Sequence, residues 1–193
     1  MIEVHKRGRL LHWITTDATY FVTFNLFDAV PAEFAERLQL ERKIRMTELE
    51  RLKGRATPAE THAIEAILRE RSEEMLDHGV GSCFMSDQRV AEVIANALKY
   101  FDGLRYRLSA WCVMPNHVHV VFHAIDRLDR IVHSWKSFSS KEANKILHRE
   151  GKFWQDDYYD RLIRNQEHLK DTNQYVLDNP AKAGLTNWPF VSS

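Results

Sequence analysis

The chain carries His117-Val118-His119 inside the apolar run WCVMPNHVHVVF. Strand alternation would send both imidazoles to one face and Val118 to the other. Val113, Val118, Val120 and Phe122 suit a strand within a packed sheet. Two neutral imidazoles on one rigid face can hold a divalent cation, and a cation beside a nucleophile is a catalyst. A His-x-His alone fits surface or core filling equally well, so the pair needs partners. Hard cations such as magnesium or manganese want oxygen as a further ligand. Far along the chain, Tyr175 and Asn179 stand i, i+4 in a segment that reads as a helix, so they share a face. The Asn179 amide oxygen can complete a metal shell, and the Tyr175 hydroxyl beside it can attack a polarised phosphodiester. Spacing also allows Tyr175 to pack on the sheet and Asn179 to end the helix before Pro180.

The elements that must position these groups follow from pattern. Residues 19–26 are aromatic and β-branched and predict a first strand. From 32 to about 76 the chain predicts two long charged helices, broken near Gly54 and Pro58, with Thr57 as N-cap. Glu41/Arg45 and Arg69/Glu73 are spaced for surface pairs. This segment reads as a helical hairpin insertion without chemistry of its own, or else as a partner-binding arm. Residues 78–82 are a loop, and Ser86-Asp87 caps a helix over 88–101. Strands over 104–114 and 117–123 make an antiparallel hairpin through Pro115-Asn116. A helix over 128–149 ends at Gly151, a strand covers 158–164, and Asn165 caps a final helix stopped by Asn179-Pro180. The order is ferredoxin-like (RRM-like): an α+β fold with helices on one face of an antiparallel sheet and an appended C-terminal helix carrying Tyr175.

The 193 residues predict one domain, 1–193, with its insertion at about 32–76. At 44% hydrophobic and 28% charged, the composition is that of a soluble globular protein. No stretch approaches a membrane span, and the N-terminus lacks a signal-peptide core, so a cytoplasmic location is expected. Cys83 and Cys112 cannot build a disulfide framework or a cysteine-rich zinc site. The 27 basic and 27 acidic residues balance. That argues against a nonspecific nucleic-acid coat, but a local basic face remains open at Lys6, Arg7 and Arg9 and along 127–149.

WCVMPNHVHVVF, SWKSFSSKEANKIL and FWQDDYYDRLIRNQEHLKDTNQYVLDNPAKAGL together resemble the REP-associated tyrosine transposases. These belong to the IS200-like, single-tyrosine branch of the HUH endonucleases (His–hydrophobic–His). The resemblance covers the first strand and nearly all of 82–185, and omits the insertion. It implies that His117, His119 and Asn179 hold Mg2+ or Mn2+ and that Tyr175 is the nucleophile. The family nicks single-stranded DNA beside REP-like hairpins through a 5′-phosphotyrosine link, frees a 3′-hydroxyl and can rejoin strands without ATP. Lys136, Ser137, Ser140 and Lys141 are then candidate phosphate contacts, with Arg161 and Arg164 after them and the Lys6, Arg7, Arg9 arm reaching the stem. Trp135, Phe138 and Trp154 either stack on bases or fill the core. Family members act as monomers or as homodimers that exchange the tyrosine helix.

Other uses of His-x-His fit poorly. A metallo-β-lactamase pattern needs Asp and His where this chain has Val120, Val121 and Phe122. His123 shares the face of His119 but lies at the strand end. Tyr158 and Tyr159 are rival nucleophiles disfavoured by the adjacent Asp156 and Asp157. The serious alternative is a catalytically silent, domesticated relative that binds DNA or RNA hairpins.

Overall fold

The computed structural model describes residues 3–7, 10–14, 16–54 and 57–193. A hairpin of β1 (Glu3–Arg7) and β2 (Leu10–Ile14) precedes β3 (Ala18–Asn25). Then come α1 (Ala32–Lys53), α2 (Pro58–Asp77), a 3-10 turn at Phe84–Ser86, and α3 (Gln88–Tyr100). The hairpin β4 (Tyr106–Val113) and β5 (His117–Ala124) leads to α4 (Leu128–Ile146), β6 (Tyr159–Leu162), α5 (Gln166–Lys182) and β7 (Val191–Ser192). Five strands form one antiparallel sheet in the order β6-β3-β5-β4-β7. Its first four positions have the ferredoxin-like order, and β7 extends the edge at β4. Among the described residues no helix is long and apolar enough to cross a membrane.

Strand alternation makes the two sheet faces different. Tyr20, Val22, Phe24, Val118, Val120 and Phe122 meet α3 and α4 in the larger core. Each such buried side chain contributes about 1.5–3 kcal/mol relative to exposure. Phe21, Val121, Ala110, Cys112 and Met114 point the other way and meet Val176 of α5. His119 stacks on Phe21 with ring centroids 5.4 Å apart, so the histidines face α5. β4 keeps both faces filled because a bulge between Leu108 and Ala110 reverses its parity. The histidine strand β5 is central, with β3 and β4 on either side.

Thr57 N-caps α2 as expected, and Glu60 returns the bond in a capping box. Glu41 pairs with Arg45 at 2.8 Å, also as expected. Glu41 also pairs with Arg71, clamping α1 to α2, and Leu38, Ile64 and Leu68 bury between these helices. Asp87 caps α3.

Two expectations change, both at helix ends. The α4 helix ends at Ile146, because the chain turns left-handed at His148 rather than continuing to Arg149. The last helix does not stop at Asn179-Pro180: α5 runs to Lys182 with Pro180 in its final turn. Its stop is Gly184, at φ 73°. Gly184 N–H reaches Ala181 O at 3.0 Å and Leu185 N–H reaches Pro180 O at 2.8 Å, a Schellman ending that satisfies the last carbonyls. The short tail is a strand, β7, and the basic N-terminal arm is a hairpin.

Candidate functional site

His117, His119 and Asn179 are fully buried between β5 and α5. Asn116, in the turn before β5, fixes the first imidazole. Its Nδ2 donates to Leu76 O at 3.0 Å and Val80 O at 3.1 Å, which leaves Oδ1 as the acceptor for His117 Nδ1 at 2.8 Å. His117 therefore carries its proton on Nδ1 and presents a bare Nε2. Thr23 Oγ1 lies 2.8 Å from His119 Nδ1, and the two Nε2 atoms are 3.0 Å apart. Two imidazole nitrogens can stay that close only with a proton or a cation between them. Burial pushes the His117 pKa down to about 3, against a smaller upward pull from Asn179. Burial, then the charge of His117, holds His119 well below its usual value. Both rings are thus neutral at pH 7, the form that binds metal.

Asp77, the last residue of α2, completes a cluster in which one ligand atom each from Asp77, His117 and His119 lies within 4.8 Å of the others. Its Oδ1 is 3.7 Å from His117 Nε2. Burial raises its pKa, while Lys182, His78 and Asn179 pull it down. The Asn179 amide thus acts on both Asp77 and His117. Yet Asn179 Oδ1, Asn179 Nδ2 and Asp77 Oδ1 are buried without a hydrogen bond of normal geometry. Orphaned buried oxygens beside two neutral imidazoles are the donor set expected around a divalent cation, so His117, His119, Asp77 and Asn179 fit one.

Sequence reasoning missed Asp77, the last residue of α2, which lies just past the expected insertion at about 32–76. One signal was present: an acid in the last turn of a helix opposes the macrodipole and needs another reason to be there.

Tyr175 stands on α5 one turn before Asn179. Its ring meets His119 nearly edge-on, centroids 5.5 Å apart, and Phe21 at 6.0 Å. Lys182 Nζ sits 5.0 Å from the ring centroid. The hydroxyl donates to Glu73 Oε2 of α2 at 3.4 Å. The expected Arg69/Glu73 pair cannot be placed beside this contact, because the Arg69 side chain lies outside the described residues. His123 is engaged at the far end of β5 with Asp17 and Thr19. Tyr158 is buried in the α3–α4 core, while Tyr159 lies beside Thr23 on the histidine face.

The candidate DNA contacts fall into separate places. Ser137 and Lys141 line a shallow groove of about 470 Å3 on the outer side of α4, with Arg105, Arg130, His133 and Phe138. Ser140 donates to Ser137 O. Lys136 is engaged internally: its ammonium donates to the carbonyls of Gln155, Asp156 and Asp157 at 2.7, 3.0 and 3.1 Å. Arg161 stands over Phe21 and donates to Thr172 Oγ1 on the α5 side, and Arg164 is exposed. The Lys6 and Arg7 side chains, and all of Arg9, lie outside the described residues. Trp135 and Trp154 are core residues, whereas Phe138 is 54% exposed.

His117, His119, Tyr175 and Asn179 fall within a stretch that is similar to known proteins. Residues 84–179 match the family described as Transposase IS200 like, a span from the 3-10 turn to Asn179. A REP-associated tyrosine transposase of Escherichia coli (strain K12) is 25% identical over 89 residues, 44% of this chain and 53% of that protein. A second relative, from Haemophilus influenzae, is 26% identical over 103 residues, 45% of this chain and 58% of its own length. The chain therefore aligns with little more than half the length of either relative. A solved structure of a REP-associated tyrosine transposase bound to a REP hairpin covers 97% of this chain and 82% of its own, with 16% identity and a TM-score of 0.46. Residues 84–179 of the chain belong to the IS200-like transposase family.

Proposed function

We propose that this protein is a metal-dependent single-stranded DNA endonuclease and strand transferase that nicks and rejoins DNA near REP-like hairpins. One observation carries the reading: the Tyr175 ring rests against His119, on the helix face that also brings Asn179 to the histidine pair. A Mg2+ or Mn2+ ion held by His117, His119, Asp77 and Asn179 would polarise the scissile phosphate and stabilise charge on the departing oxygen. Tyr175 attacks that phosphate, forms the 5′-phosphotyrosine link and releases a 3′-hydroxyl. The link retains the energy of the broken diester, so the reverse attack rejoins strands without ATP. Asn116 and Thr23 hold the imidazoles in orientation. Tyr175 lies beside the histidines of its own chain, so a single copy contains the whole constellation.

The test is a gel-stable covalent adduct between the protein and single-stranded hairpin DNA with Mg2+ or Mn2+. Wild type is expected to form it and Tyr175→Phe to lose it. Hairpin binding with no wild-type adduct would favour the silent binding protein instead. An adduct that survives Tyr175→Phe would move the nucleophile elsewhere, first to Tyr159 on the same sheet face.

A further inference from the structure

Two carboxylates reach this site from outside the matched residues 84–179, both on α2. Asp77 belongs with the metal donors. Glu73 lies one turn earlier on the same helix face, and its Oε2 accepts the Tyr175 hydroxyl at 3.4 Å. We propose that Glu73 is the proton acceptor for Tyr175, an inference that rests on Tyr175 being the nucleophile.

A phenol with a pKa near ~10 is a weak nucleophile at neutral pH, so an acceptor for its proton lowers the barrier. The histidines are badly placed to serve. His117 Nδ1 is committed to Asn116 and His119 Nδ1 to Thr23, and the two Nε2 atoms face each other. Asp77 turns to the same pair. Lys182 is a cation 5.0 Å from the phenol ring, so it favours negative charge there without accepting a proton. Glu73 is the carboxylate to which the hydroxyl points. The 3.4 Å separation is long, as hydrogen bonds of catalytic pairs commonly are before substrate closes the site.

In the forward step the Tyr175 O–H proton passes to Glu73 Oε2 as the phenolic oxygen bonds to phosphorus. The P–O3′ bond breaks, its electron pair stays on O3′, and that oxygen takes a proton from water. In rejoining, a 3′-hydroxyl attacks the phosphotyrosine and loses its proton to water. The departing phenolate recovers its proton from Glu73. The insertion thus supplies the acceptor, and the site is complete only when α2 is docked.

The test compares wild type, Glu73→Gln, Glu73→Asp and Glu73→Ala in single-turnover adduct formation on the same hairpin DNA. DNA affinity, Mn2+ affinity and melting temperature are measured beside it. Glutamine keeps the shape and an accepting oxygen but cannot take the proton. Glu73→Gln is expected to slow adduct formation by about 100-fold or more while DNA and Mn2+ affinities stay within about twofold, and Glu73→Asp to recover part of the rate. A wild-type rate in Glu73→Gln overturns the assignment. So does a loss of rate matched by loss of Mn2+ affinity or melting temperature in Glu73→Gln, because that marks a structural role. If wild type itself forms no adduct, the nucleophile reading falls first and takes this inference with it. A wild-type adduct with an unimpaired glutamine variant removes Glu73 alone.

Discussion

At the scale of single residues, the site is decided by which nitrogen of His117 carries its proton. Asn116 spends both N–H bonds on Leu76 O and Val80 O, so its oxygen faces the ring and the bare Nε2 faces His119. The cost of burying two imidazoles appears as acid lability. The folded pKa of His117 is depressed from 6.5 to about 3. The unfolded chain therefore binds protons that the folded chain refuses. The stabilisation is fully present above 6.5 and is lost as pH falls from there toward about 3. His119 acts in the same direction. Asp77 acts oppositely: its raised pKa favours folding below 3.8, and this fades as pH rises through the folded value. Two histidines outweigh one half-exposed acid, so the melting temperature should drop between pH 7 and 4. Thermal melts of His117→Asn at fixed ionic strength should show a shallower drop, and an unchanged slope would refute the assignment. That His117 shares a face with His119, and Tyr175 with Asn179, was legible from period-2 and period-3.6 spacing, whereas the roles given to them came from the family resemblance. Asp77 and Glu73 were not legible, because their relation to the histidines is created by the docking of α2 and by no local repeat.

At the scale of elements, the docking of α2 rests on the loop that follows it. Asn116 holds the carbonyls of Leu76 and Val80, and Asp28 at the exit of β3 accepts the Ser82 N–H at 2.9 Å and the Ser82 hydroxyl. Gly81 lies between these anchors at φ 92°, and a Cβ there would sit 2.6 Å from Asp28 O. That obstacle is backbone, so the loop itself must move. Gly81→Ala should cost about 1–3 kcal/mol from conformation alone, read as a lower melting temperature. Because the loop places Asp77, Mn2+ affinity should fall as well, by about 10–100-fold if the carboxylate is displaced. Calorimetry that finds unchanged Mn2+ affinity would separate Asp77 from the metal set. The element boundaries follow the same division between local and tertiary information. The α2 start was readable from Thr57-Pro58, and the histidine hairpin from its alternation. The end of α5 was misplaced because Pro180 is an obvious breaker, although the last turn tolerates it and Gly184 makes the true Schellman stop. A two-residue edge strand such as β7 has no period to read; its place comes from pairing with Trp111 and Cys112.

At the scale of the molecule, the sheet separates two surfaces. One carries the histidines, Tyr175 and α5; the other carries α4 and its outward groove. Within that groove Arg105 and Arg130 share Asp126 at 3.7 and 3.8 Å, while exposed Lys141 makes no ion pair among the described residues. Phe138 beside them offers a face for a base or sugar. A zero formal net charge is thus compatible with a local basic strip. If this strip meets phosphates, Lys141→Ala should weaken hairpin DNA binding about equally for all sequences and reduce the slope of log affinity against log salt by about 1. Mn2+ affinity should not change, because the substitution lies on the opposite side of the sheet. Lys136→Ala should behave differently. Its ammonium holds three loop carbonyls, so its loss should lower the melting temperature while leaving the salt slope near the wild-type value. Fluorescence anisotropy across a salt series, run beside thermal melts, distinguishes the two. Equal salt slopes for Lys141→Ala and wild type would exclude this groove as the DNA contact and leave the Arg161 and Arg164 side of the sheet as the surface to test.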